Sequence, residues 1–269
     1  MRDEARTLTD AAPVPFRGGG FAPGAKPAVA WLAFAVLLGA WEAGSRFGLI
    51  SPFVLPSPSE IARALWRMAL TGELQGHVTA SLGRLLAGWT LGTLAGLVAG
   101  TALGLSTYAR SAGMPLVAAL FPIPKIALLP LFIIWFGIGE PSKVATIAFG
   151  VFFPTTVSAS GGVDNVDRSL IRMGQSFGLS RLSILRKIVL PGALAAILSG
   201  FRISASIAII LLVAAEMIGA QEGVGALVLA AGNLMQTDRL LAGVVVLSVM
   251  GLLVGTLLTR LERLLLRWR

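Results

Sequence analysis

The sequence predicts an all-α, polytopic transmembrane bundle of six spans, and three observations carry that reading. Of 269 residues, 55% are hydrophobic and only 13% are charged, against roughly 25% charged in an average soluble domain. Mean hydropathy is +0.83, and a soluble core of this size could not bury so much apolar surface under a polar skin. Apolar runs of about 20 residues, the length that crosses a bilayer, recur between short polar or proline-rich stretches. Glycine is abundant at 32 residues, which suits helices packing closely in lipid.

Residues 1–27 are rich in Pro, Gly and charge, and a disordered N-terminal tail is expected there. Gly24-Ala25-Lys26 resembles the end of a phosphate-binding loop, but it lacks the Gly-Lys-Ser/Thr and a preceding strand. No nucleotide site is read there. The first span covers 28–49. Its apolar run is long and no small-residue cleavage site follows, so it is not a signal peptide. Residues 50–80 form an outer segment. Pro52, Pro56 and Pro58 forbid a helix through its start. Ser59 then caps a surface helix over 60–70 with Ile61, Leu65 and Met68 on one face. Residues 81–261 form the core, with spans at 82–105, 115–138, 143–161, 192–219 and 240–259. A basic tail, 262–269, ends the chain.

The net charge of +9 is a topology signal rather than a nucleic-acid patch. Positive residues favour the cytoplasmic side. Fourteen of the 22 Lys and Arg fall in the N-terminal tail, the 106–114 connection (Arg110), the 162–190 loop and the residues from Arg260 onward. The opposite loops hold Arg63, Arg67, Lys143 and Arg239, with Arg46 near a span end. Six spans place both termini on one side, so both termini and the 162–190 loop are expected in the cytoplasm.

Several chemistries are excluded. Cysteine is absent and His77 is the single histidine. That removes disulfides, thiolate chemistry and any metal site needing two histidines. His77 falls between apolar runs and reads as a solvated loop residue. An intramembrane protease or lipid transferase needs a nucleophile with a base, or clustered carboxylates. The spans offer no histidine and only Glu42 and Glu216 as carboxylates. A self-sufficient ion-coupled carrier wants paired acidic sites and internal repeats, and neither is clear.

The 162–191 loop is the most specific feature. Asp167 is a good N-cap. Leu170, Met173, Gly174 and Phe177 follow at i, i+3, i+4, i+7 and predict one apolar helical face, with Arg168, Arg172 and Gln175 on the rest. Gly178 suits a left-handed helix end. Ser180 caps a second helix with Leu182, Leu185, Ile188 and Val189 on one side. Pro191 suits the first turn of the next span. The apolar stripe reads either as an interfacial anchor or as a docking element for a groove on a soluble partner.

These residues carry a resemblance. Gly178, nine residues, then Ile188-x-Leu190-Pro191 is similar to the signature of ATP-binding cassette (ABC) importer permeases, Glu-Ala-Ala, three residues, Gly, nine residues, Ile-x-Leu-Pro. Arg172-Met173-Gly174 stands where that signature has Glu-Ala-Ala. LPSPSEI at 55–61, SLGRLLAGWTLGTLAGLVAG at 81–100, FPIPKIALLPLFIIWFGIGE at 121–140 and AEMIGAQEGVG at 215–225 resemble the nitrate, sulfonate and taurine branch, nearest to aliphatic sulfonate permeases. The resemblance implies a type I importer permease fold and a homodimer in the bacterial inner membrane. It implies two cytoplasmic ATPases that bind ATP and Mg, no cofactor on this subunit, and a periplasmic binding protein delivering a small anion. Another small organic solute of the same branch is the alternative. It also implies a coupling role for the matched stretch from Arg172 to Pro191, with Leu170 on the same helix.

Ionisable residues inside spans are costly and mark functional candidates. Lys125 follows Pro122 and Pro124 in a proline-broken segment, and broken helices are tolerated where they line a cavity or are covered. It either faces a path for an anion or snorkels. Arg202, deep in the fifth span, is a second candidate cation. Glu216, near the outer end of that span, either lines the path or holds helices together.

Overall fold

The structure is a computed structural model that describes residues 26–267. Residues 1–25 of the expected tail, with Gly24-Ala25, and the last two residues lie outside the described residues. Among the described residues every element is helical. Five helices are long and apolar enough to cross a membrane, or six if one bent pair counts as a single span.

The chain divides after Pro52. The first unit holds α1 (Pro27–Arg46), opened by Pro27 and closed by an i,i+4 ion pair from Glu42 to Arg46 (2.6 Å). Its apolar side chains, among them Trp31, Leu32, Phe34 and Leu37, are exposed, as lipid-facing residues are.

The second unit opens with α2 (Pro58–Leu70). The cap is Ser57, not the expected Ser59. Ser57 accepts from the Glu60 N–H and donates its own N–H back to Glu60 (2.8 Å), a capping box that lets Pro58 take the first helical position, where its missing N–H costs nothing. Ile61, Ala64 and Met68 are buried, and α2 packs on α11 (Thr237–Leu265) and α3 (Glu73–Leu105).

Helix α3 starts nine residues before the expected second span. His77 therefore lies in a helix, not in a loop. Helix α3 runs against α6 (Glu140–Asp164) in the most extensive helix pairing of the fold. Gly88, Gly92, Gly96, Gly100 and Gly104 recur every fourth residue along the seam. A methyl at Gly88 would stand 2.6 Å from Ile147 Cβ, and one at Gly96 2.6 Å from the Phe152 carbonyl oxygen. The bare glycine stripe lets the two backbones touch.

The expected third span, 115–138, is broken at its prolines into two helices at 92°, and the first of them starts earlier, at Thr107. Helix α4 (Thr107–Leu120) stops before Pro122 and Pro124, and a tight turn over Lys125–Leu128 leads into α5 (Leu129–Phe136). Each proline removes an N–H and clashes with the preceding turn, so two of them three and five residues before Ala127 break the helix. After α6 come α7 (Arg168–Ser176), α8 (Arg181–Ile184), a wide π turn over Leu185–Val189, and α9 (Leu190–Gly219). The expected fifth span lies in an apolar helix continuous from Arg181 to Gly219, so Pro191 does not mark a break. The Leu190 N–H reaches back five residues to Leu185 O, and this widened turn seats the Pro191 ring without interrupting the rod. A short helix unforeseen in the sequence, α10 (Val224–Asn233), packs between α9 and α11.

Candidate functional site

Two polar assemblies sit at opposite ends of the second unit: a hairpin joining α6 to α9, and a buried clasp where α3 and α6 begin and α9 ends.

In the hairpin, Asp167 caps α7 by accepting from the Ser169 N–H (2.8 Å). That bond, through side chain and backbone of Ser169, holds the Asp167 carboxyl below its ordinary range. Helix α7 ends at Gly178, whose φ of +70° is the left-handed region that glycine enters without strain. Ser180 then caps α8 by accepting from the Ser183 N–H. The four residues expected on one face of α7 divide. Gly174 is buried, while Leu170, Met173 and Phe177 are exposed. The inner face is Ile171 and Gly174. Ile171 packs on the cluster of Val163, Val166, Ile184, Val189 and Ala193. A methyl at Gly174 would stand 2.8 Å from Ile188 Cδ1, so α7 lies directly against the root of α9. The second helix is likewise rotated: Ile184 and Val189 are buried, Leu185, Ile188 and Leu190 are half-buried, and Leu182 is exposed. A cavity of about 660 Å³ opens beside α7, lined by Arg168, Ile171, Gln175, Arg181 and Leu185.

The clasp is centred on Arg84, which is buried. Its Nη1 donates to Glu216 Oε1 (2.7 Å) and to the Glu222 carbonyl (2.6 Å). Its Nε and Nη2 form a fork on Glu140 (2.6 and 2.7 Å). Glu216 also accepts from Ser81 Oγ (2.7 Å) and the Gly225 N–H (2.8 Å). Ser81 Oγ accepts from the Val224 N–H (2.8 Å), and His77 Nδ1 from the Gly223 N–H (3.1 Å). His77 is thus a turn holder rather than a solvated residue. Gly223 has φ +131°, and a methyl there would meet Glu216 Cδ at 2.5 Å and Arg84 Nη1 at 2.6 Å. The 221–225 turn is therefore wrapped around a fully satisfied buried charge pair.

The other intramembrane candidates are also engaged. Lys125 Nζ folds back on the end of α4. It donates to the carbonyls of Leu120 (3.0 Å), Phe121 and Ile123 (2.7 Å), with the Phe153 ring at 4.7 Å. It caps the carbonyls that the Pro122–Pro124 break leaves unpaired. Arg202 pairs with Glu262 of α11. Trp89 of α3 donates to Ser204 of α9 (3.0 Å) and meets Phe201 edge-on. Sequence reasoning missed Arg84, because its partners lie 56 and 132 residues away.

Residues 92–268 match the family described as binding-protein-dependent transport system inner membrane component. The chain belongs to this family. It is a permease subunit of an ABC importer and a multi-pass protein of the inner membrane. The taurine transport system permease protein TauC of Escherichia coli (strain K12) is 39% identical over 239 residues, 87% of each chain. A protein assigned as the aliphatic sulfonates transport permease SsuC of Bacillus subtilis (strain 168) is 36% identical over 235 residues, 87% of this permease and 85% of that one. The riboflavin transport system permease protein RibX of Chloroflexus aurantiacus is 33% identical over 233 residues, 87% of each. Among solved structures, an inward-facing MetNI methionine ABC transporter aligns with a TM-score of 0.62 at 20% identity, over 71% of the permease and 95% of that chain. An amino acid ABC transporter aligns with a TM-score of 0.53 at 17% identity, over 71% and 92%. Both share the permease fold.

Proposed function

We propose that this permease imports a small organic anion of the sulfonate class, with taurine and alkyl sulfonates as first candidates. The single observation that supports the class is the 39% identity to a taurine permease across 87% of both chains. In this reading two copies form the pathway, and a binding protein delivers solute at the clasp end. Two ATPases dock at the hairpin end, on the cytoplasmic side with both termini. ATP and Mg belong to those ATPases, and this subunit binds neither.

The coupling residues are Leu170, Arg172, Met173, Gly174, Phe177, Gly178, Ser180, Ile188, Leu190 and Pro191. Gly174 presses α7 onto Ile188, and α8, the π turn and α9 form one rod. A displacement of α7 is thereby carried along α9 to Glu216, which Arg84 ties to α3 and α6. Alternating access then proceeds as rigid-body movement of packed helices. The path candidates take different parts. The break at Pro122 and Pro124 lines the path and Lys125 holds its bent backbone. Arg202 sets α9 against α11, and Glu216 pins the clasp end. The similarity to a riboflavin permease at 33% supports a second reading, a neutral organic solute.

The test is uptake into proteoliposomes holding the permease, its ATPase and its binding protein. ATP-dependent uptake of labelled taurine or an alkyl sulfonate is expected. Uptake of riboflavin instead would replace the substrate class. No ATP-dependent uptake of any solute that the binding protein retains would overturn the importer reading.

A further inference from the structure

We propose that α7 selects its ATPase by charge, docking into a groove with an apolar wall on one side and carboxylates on the other. This rests on the docking role assigned to α7 above and deepens it.

The shape of α7 has two unlike flanks. Leu170, Met173 and Phe177, at i, i+3, i+7, share one flank and are 45, 50 and 77% exposed. Arg168 and Arg172, one turn apart, share the other, and Arg168 borders the cavity beside α7 with Ile171 and Gln175. Ser169 and Ser176 form a small-residue crest between them. A planar bilayer surface cannot cover both flanks of a protruding helix at once. A groove can.

The charges point the same way. Between residues 53 and 239, every arginine outside the hairpin holds a partner: Arg63 the Ser59 carbonyl, Arg67 Asp238, Arg84 its two glutamates, Arg110 Asp164, Arg202 Glu262 and Arg239 Glu73. Inside the hairpin, the charged side-chain groups of Arg168, Arg172, Arg181, Arg186 and Lys187 make no hydrogen bond or ion pair among the described residues. The two carboxylates nearest in sequence are already used, Asp164 by Arg110 and Asp167 by the α7 cap. Arg168 and Arg172 at i,i+4 repel each other, and a carboxylate set between them relieves both. Arg172 stands where the permease signature carries an acidic residue, so the groove that receives it has the opposite charge to the groove that receives that glutamate. The partner class is an ABC ATPase whose docking groove is acidic on one wall.

The experiment mixes full-length permease, in detergent free of anionic lipid, with its cognate cassette ATPase, and measures their affinity at low and high salt. Wild type is expected to bind, more weakly at high salt. Arg172→Glu is expected to lose affinity on the order of tenfold, the lower end for close interfacial charge pairs. Arg172→Lys keeps most of it, and a carboxylate-to-lysine change in the ATPase groove restores Arg172→Glu. Phe177→Ala is expected to weaken binding equally at both salt concentrations. Equal affinity of wild type and Arg172→Glu would overturn the charge selection and leave the docking role intact. Salt dependence that appears only after adding phosphatidylglycerol vesicles would assign the cations to lipid and overturn it too. No binding by wild type removes the docking role and this proposal together.

Discussion

Arg84 and Glu216 lie 132 residues apart in sequence and meet at 2.7 Å in the interior, their side chains 5% and 0% exposed. Three helices and the 221–225 turn converge on this pair. Truncating one member leaves the other charged and buried, which costs about 3–5 kcal/mol. Arg84→Ala is expected to lower the thermal midpoint of the purified permease strongly. Arg84→Lys, which keeps the charge but loses the fork on Glu140, falls between. A melting curve for Arg84→Ala that overlays wild type would show that the clasp does not hold the fold.

The glycine stripe makes a second prediction. Gly96→Ala puts a methyl within 2.6 Å of the Phe152 carbonyl oxygen, a backbone atom that cannot swing aside. Overpacking of this kind costs typically 1–3 kcal/mol. Gly83, on the same helix, has open space around it, and Gly83→Ala is expected to be neutral or stabilising because alanine is the better helix former. Thermal unfolding of the two variants, compared side by side, checks the seam.

At the hairpin, Gly174→Ala and Gly174→Leu are expected to diverge. The alanine methyl has one short contact, the tip of Ile188 at 2.8 Å, with Ile184 and Leu179 at 3.4 and 3.5 Å, and a small rotamer shift accommodates it. Leucine cannot fit and lifts α7 off α9. The expected outcome is near-normal uptake for alanine and uncoupled ATP hydrolysis for leucine. Gly178→Val fails for a different reason: at φ +70° a β-branched residue carries strain on the order of 1–3 kcal/mol. Measuring ATPase rate and uptake together separates lost coupling from lost folding.

The cap of α7 carries a pH dependence. The Asp167 carboxyl is held below its ordinary range by its bonds with Ser169. A depressed folded-state value contributes stability above the unfolded value and loses it as pH falls through the folded one. Protection of the 168–172 amides is therefore expected to hold through mild acid and to fall only below about pH 4, the ordinary Asp range, while the spans stay protected. Asp167→Asn keeps a capping side chain and is expected to flatten that pH response.

The hairpin was legible because its signals are local. A cap, an apolar repeat, a glycine at a left-handed end and a proline at a helix root lie within 25 consecutive positions, each acting on its neighbours. The stripe of α7 was read one residue too wide: Leu170, Met173 and Phe177 share an exposed flank, while Gly174, at its edge, turns inward with Ile171. The break in the third span was legible in Pro122 and Pro124, but its 92° bend and the start of α4 at Thr107 were not, because a proline ends a helix without fixing the direction the chain then takes. The start of α3 was placed late because apolar content marks where lipid begins, not where a helix begins.

Sequence alone determined that this chain is a helical membrane protein of the permease family, with a helix–glycine–helix device between two spans. Composition, period and motif settle those matters because each depends on residue type and short spacing. The tertiary structure decided which charges belong together. Arg84 finds Glu140 and Glu216, Lys125 finds the carbonyls at the α4 break, and Arg202 finds Glu262, over separations that no local pattern encodes. The physical reason is shared: a charge withdrawn from water must find a partner at its own depth, and depth is fixed only when the helices have packed.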